Sequence, residues 1–135
     1  ITEGPFSKSI LPTQELWIDG GHNDSAGESL ADQAHIWKTQ DSRPLIIILA
    51  MVNRKNPAEF ITPLIPYASQ IICTQIPNEK ETYTAKDLFT KVQTLNVKEL
   101  SFAQNIREAF SMINTPNARI LATGSLYFMG ALLQE

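Results

Sequence analysis

Short runs of β character alternate with helix-patterned stretches along this whole chain, and that alternation constrains its fold more than any other feature. Five β-type runs stand out: Leu16–Asp19, Leu45–Met51, Gln70–Thr74, Glu99–Phe102 and Arg119–Thr123. The second is almost wholly apolar, as a strand covered on both faces must be. Between the runs, Ala26, Leu30, Ala34 and Trp37 recur at helical spacings, and Ala85, Leu88, Phe89 and Val92 fill one helical stripe. Ile106, Ala109, Phe110 and Ile113 fill another. Cap signals agree: Ser25 with Glu28 reads as a capping box, Pro57 suits a first helical turn after Asn56, and Thr84 precedes Asp87 at capping distance. Such βαβ units with right-handed crossovers predict an α/β, Rossmann-like domain. Its sheet is expected to be mainly parallel, of five to six strands, with helices on both faces.

The chain's 135 residues suffice for one hydrophobic core. Its net charge of -3, with no cluster of Lys or Arg, argues against nucleic acid or an anionic membrane as the main partner. No apolar run is long enough to span a bilayer, so a cytoplasmic location is expected. The single cysteine, Cys73, lies in an apolar run and reads as a buried small hydrophobe. The chain begins with Ile1 and its first residues show little periodicity. Residues 1–14 are therefore expected to be a linker remnant of a longer protein, and residues 15–135 the domain.

In open parallel sheets ligands bind beyond the carboxyl ends of the strands, so the residues just after each strand carry the chemistry. Three clusters qualify. The first is Asp19-Gly20-Gly21-His22-Asn23-Asp24-Ser25, where a carboxylate, an imidazole and an amide crowd a helix start. Free N–H groups there suit a phosphate or carboxylate, and a strand-end carboxylate can accept both hydroxyls of a ribose. The competing reading is that Asp19 and Asn23 cap turns and His22 is a surface histidine. The second cluster, Asn53-Arg54-Lys55-Asn56-Pro57, brings two cations to the end of the most apolar strand, either against an anionic ligand or into solvent. The third, Thr123-Gly124-Ser125, offers a hydroxyl and an amide to a ligand, or simply caps a helix. The apolar stretch Leu126–Leu133 that follows is either core or a docking helix. No phosphate loop, no G-x-G-x-x-G and no zinc-site spacing is present, so groups gripping a triphosphate must come from elsewhere.

The segments Leu16-Trp17-Ile18-Asp19-Gly20-Gly21-His22-Asn23 and Leu121-Ala122-Thr123-Gly124-Ser125-Leu126-Tyr127 resemble the C-terminal domain of the folylpolyglutamate synthase/dihydrofolate synthase family, within the Mur ligase superfamily. The family reads hydrophobic-D-G-[AG]-H-N-P, then an M-L-x-x-K-D-type loop matched by Met51–Asn56, then G-S-L-Y. Asp24 stands where proline is common, Asn56 where aspartate is, and Thr123 where cysteine is frequent. A family arginine that helps hold ATP lies upstream of the first motif and is not assigned here.

The resemblance implies an ATP-dependent ligase that adds L-glutamate to a folate or dihydropteroate carboxyl through an acyl phosphate. ATP and Mg2+ would be held mainly by an N-terminal/central ATPase domain of the same chain, over which this domain closes. By this resemblance Asp19 and Asn23 would contact ATP, His22 and Ser125 would act at the cleft where glutamate meets the acyl phosphate, and Lys55 would meet substrate or phosphate. No metal ligand is expected within these residues, and a monomeric enzyme is expected. The alternative from another class is a non-catalytic Rossmann-like module that binds or senses a small ligand through the same three loops.

Overall fold

The strand Leu45–Leu49 is buried at all five positions, the result expected for so apolar a run. The computed structural model describes residues 14–21, 24–53, 55–113 and 115–134, so most of the expected linker, residues 1–13, lies outside the described residues. Five strands, β1 (Glu15–Ile18), β2 (Leu45–Leu49), β3 (Ala68–Cys73), β4 (Leu100–Phe102) and β5 (Arg119–Thr123), form one sheet in the order β1-β5-β2-β3-β4. Every pairing is parallel. The helices are α1 (Asp24–Gln40), α2 (Pro57–Ile61), α3 (Ala85–Gln93), α4 (Ile106–Ser111) and α5 (Leu126–Gln134), with a 3-10 stretch over Thr62–Tyr67.

Crossover handedness sorts these helices. The path β1 to β2 to β3 to β4 moves one way across the sheet, so right-handed connections place α1, α2 and α3 on one face. The step from β4 to β5 runs back, which places α4 on the other face. The two cores agree with this. Ala34, Trp37, Phe60, Ile61, Leu88 and Val92 pack with Ile47, Leu49, Ile71 and Leu121. Ile106, Phe110, Phe128 and Leu132 pack with Ile46, Ile48, Ile72 and Ile120. Strand alternation thus feeds both layers of an α/β sandwich. Because Phe128 and Leu132 are fully buried, α5 is a core helix, with Leu126 and Tyr127 exposed at its start.

Local signals set most boundaries. The Asn56 side chain accepts from Ala58 N and starts α2 at Pro57, and Thr84 accepts from Asp87 N and starts α3. Ser25 is different: α1 begins at Asp24, so Ser25 stands in the first turn and not at the cap. Asn23-Asp24-Ser25 is a run of three cap-forming residue types, and the S-x-x-E spacing does not discriminate among them. Strand β2 also stops short of the expected Met51: Ala50 N still donates to Thr123 O, but Val52 bridges antiparallel to Thr82. Cys73 is buried, and burial pushes its thiol up to about 12.

At the amino ends of the strands an ion-pair network ties β1, β5 and the end of α1 together. Arg119, buried, donates through Nε to Glu15 Oε1 at 2.9 Å and through Nη2 to Asp41 Oδ2 at 3.1 Å, and lies 5.0 Å from the Trp37 ring centroid. Burial pushes the Glu15 carboxyl up, but donation from the Trp17 indole and from Arg119, with the charges of Arg119 and Arg43, outweighs this and holds it below its ordinary value. For Asp41 the Arg43 amide lowers the carboxyl, burial opposes this, and Arg119 adds to the lowering. Carboxyls lowered in the fold stabilise it above their unfolded values and lose that contribution as pH falls through the folded ones. Arg119→Met is therefore expected to destabilise the protein by about 1–3 kcal/mol at neutral pH. That difference should shrink as pH drops below about 4. Thermal melts of the two proteins at pH 7 and pH 3 check this; a gap that does not narrow in acid rules out the charge pairing as its cause.

Candidate active site at the carboxyl rim of the sheet

Strand β5 lies between β1 and β2, yet it leads to a helix on the opposite face from theirs. The chain therefore diverges above β5, leaving a crevice at the carboxyl ends of the three strands, which is where open parallel sheets bind ligands. The three clusters singled out in the sequence follow the carboxyl ends of these strands, and their described residues are Asp19–Gly21, Asp24, Ser25, Asn53, Lys55–Pro57 and Thr123–Ser125. The register continues up to the crevice, with Ile18 opposite Ala122 and Leu49 opposite Thr123.

On the β1 side the ladder extends one residue further, with Asp19 N donating to Ala122 O at 3.0 Å. Asp19 Oδ2 accepts from Gly21 N at 2.7 Å, an Asx turn that holds the carboxylate at the start of the loop. The loop leans on the β5 turn: a Cβ on Gly20 would fall 2.6 Å from Leu126 Cδ2. In the β5 turn, Ser125 is buried, and its Oγ accepts from Tyr127 N at 3.1 Å. Its carbonyl accepts from Met129 N at 3.0 Å. Ser125 is thus the cap of α5 as well as a residue of the rim. Asp19 and Ser125 share that rim; His22 and Asn23 lie outside the described residues, as does Arg54.

The β2 loop is held by a strap that the sequence did not reveal. Asn53 N donates to Glu81 O, Tyr83 N to Met51 O, and the Tyr83 hydroxyl to Lys55 O at 2.8 Å. Burial raises the Tyr83 phenol above its ordinary value, so it stays a neutral donor. The strap fixes the backbone of Lys55 relative to the segment that carries Tyr83. Nothing in the periodicity of residues 75–84 singled out this role, because the bonds run mostly to backbone groups distant in sequence.

A cavity of about 620 Å³ opens next to the Asp19 loop, between edge strand β1 and α1, lined by Trp17, Asp19, Gly20, Leu30, Gln33 and Leu126. Its walls combine aromatic and aliphatic surface with one carboxylate, a lining suited to a ligand with a flat apolar part and hydroxyls. A cavity of about 590 Å³ at the opposite end of the strands surrounds Asp41, Arg43 and Arg119, whose charges already pair with one another. Among the described residues no group of three or more His, Cys, Asp or Glu side chains is placed to hold a metal ion. No helix among them is long and apolar enough to cross a membrane.

Residues 6–135 match the family model described as dihydrofolate synthetase, C-terminal domain. This chain belongs to that family. Dihydrofolate synthetase of Saccharomyces cerevisiae is 25% identical over 139 residues, covering 96% of this chain and 32% of that protein. The chain thus spans about a third of the length of the curated relative it matches. Among solved structures, Mycobacterium tuberculosis folylpolyglutamate synthase complexed with ADP and AMPPCP superposes with a TM-score of 0.72 at 20% identity, over 87% of this chain and 28% of that one. Escherichia coli FolC in complex with DHPP and ADP also has a TM-score of 0.72, at 17% identity, over 90% of this chain and 28% of that one. The α/β fold with a parallel sheet and helices on both faces, as expected, is shared with these two structures.

Proposed function

We propose that residues 15–135 form the C-terminal domain of an ATP-dependent ligase that joins L-glutamate to a dihydropteroate or folate carboxyl through an acyl phosphate. One observation carries this reading: β1, β5 and β2 are neighbours, and the loops that bear Asp19, Ser125 and Lys55 leave them at the same end of the sheet. Family membership supports it. The remainder of the polypeptide, a central ATPase domain, would hold the triphosphate and Mg2+, and this domain would close over it.

Each residue has a role that its chemistry allows. A carboxylate offers about four lone-pair sites, so Asp19, which accepts from Gly21 N in the free protein, has the capacity to accept ribose hydroxyls. Asn23 would add an amide contact to the same nucleotide. The Ser125 hydroxyl accepts from Tyr127 N and retains its own hydrogen, which can be donated to a carboxylate or phosphoryl oxygen. Lys55, its carbonyl tethered by Tyr83, would meet substrate or phosphate with its ammonium. His22 would orient the glutamate carboxylate or take a proton from its ammonium, since only the neutral amine left behind has a lone pair with which to attack. Closure matters because an acyl phosphate hydrolyses unless water is excluded before the amine arrives.

The test is turnover of the full-length enzyme with dihydropteroate or tetrahydrofolate, ATP and labelled glutamate. His22→Ala should lower kcat by about tenfold or more. Asp19→Ala should mainly raise the KM for ATP. If both variants keep wild-type constants, the rim is not the reaction site.

A further inference from the structure

Two buried side-chain polar atoms lack a hydrogen-bond partner among the described residues, Ser101 Oγ on edge strand β4 and Thr123 Oγ1 at the end of β5. Thr123 is fully buried and lies one residue before the turn that carries Ser125. Thr74, the residue directly after β3, is equally buried but donates to Ala103 O at 2.9 Å. A folded protein rarely leaves a hydroxyl dry without a use for it.

The neighbours of Thr123 say what the use is. β1 and β5 pair up to Ile18 opposite Ala122, and Asp19 N continues the ladder to Ala122 O, so Asp19 is the next residue opposite Thr123. Parallel strands run about 4.8 Å apart, within reach of two short side chains on one face. They do share a face. β5 sends Ile120 and Ala122 into one core and Leu121 into the other, which puts Thr123 on the Leu121 side, under α1 and α2. The Asp19 carboxylate is on that side too: the Cβ position of Gly21 is 2.8 Å from Asp19 Oδ2, 2.8 Å from Ala26 Cβ and 3.3 Å from Phe60 Cε1.

We infer that Thr123 is a positioning residue whose hydroxyl donates to the Asp19 carboxylate once ligand hydroxyls draw that carboxylate away from Gly21. The inference rests on the nucleotide-binding role proposed for Asp19. In the free protein the carboxylate is held by the Asx turn and the hydroxyl waits unpaired. With ligand bound, the hydroxyl replaces Gly21 N as donor and fixes the carboxylate so that both its oxygens face the ligand.

Thr123→Val in the full-length enzyme keeps the shape and removes the hydroxyl, while Thr123→Ser keeps the hydroxyl. The valine variant should melt at or above the wild-type temperature without nucleotide, raise the KM for ATP about tenfold, and change kcat little. The serine variant should restore the wild-type KM, and valine at 123 should add nothing to Asp19→Ala. A valine variant that melts lower without nucleotide, or does not fold, means the hydroxyl is already bonded in the free protein and overturns the inference. So does an unchanged KM for Thr123→Val alongside a raised one for Asp19→Ala, which leaves the role of Asp19 standing. An unchanged KM for Asp19→Ala removes both.

Discussion

Gly27→Ala is expected to destabilise the protein by about 2–4 kcal/mol, although helix propensity alone would have alanine stabilise an interior helical position by about 1 kcal/mol. The sign reverses because of what α1 crosses. A Cβ at Gly27 would lie 2.1 Å from the Phe60 carbonyl oxygen and 3.0 Å from the Phe60 carbonyl carbon. The obstacle is backbone in α2, so no side-chain rotation relieves it. Phe60 is fully buried and Pro57 opens the same short helix, which leaves α2 little room to retreat. Helix α1 must lift at its amino end, the end that follows the Asp19 loop. The midpoint of urea unfolding should fall with little change in slope. A midpoint equal to or above the wild type would mean that α1 and α2 do not approach so closely.

Gly124→Ala should have the larger effect, about 3 kcal/mol or more, with loss of folding as an acceptable extreme. Here two causes add. Gly124 has a φ of 125°, which L-residues rarely adopt, and a Cβ there would stand 2.3 Å from the Ala50 carbonyl oxygen. The β5 turn passes directly over the end of β2, where Ala50 N donates to Thr123 O. A side chain would prise these strand ends apart at the rim and carry Ser125 with them. Circular dichroism and turnover of the full-length enzyme should both show the defect. A folded Gly124→Ala enzyme with normal activity would show that the turn does not need this conformation.

Much of this architecture could be read from residue patterns alone. The apolar run at Leu45 announced a central strand, the alternating runs announced a parallel sheet, and Asn56 and Thr84 cap the helices they were expected to cap. These features depend on neighbours close in sequence, so periodicity and cap chemistry suffice. The cap at Ser25 fails for the same reason, since three adjacent residues carry equivalent cap chemistry and only the folded backbone selects among them. Residue patterns marked the candidate site as three strand-end clusters and expected them at one rim, but not the contacts that hold them there. Neither the ladder that sets Thr123 against Asp19, the tether from Tyr83 to Lys55 nor the pairing of Arg119 with Glu15 and Asp41 leaves a local trace. Each joins groups far apart along the chain.

By itself, then, the order of apolar and polar residues determined which segments become strands and helices and which loops carry acids, cations and hydroxyls. Only the tertiary structure decided that β5 inserts between β1 and β2. That placement depends on crossover handedness and on two hydrophobic layers packing at once, and no short window of sequence contains either. It alone turns three separated loops into one crevice.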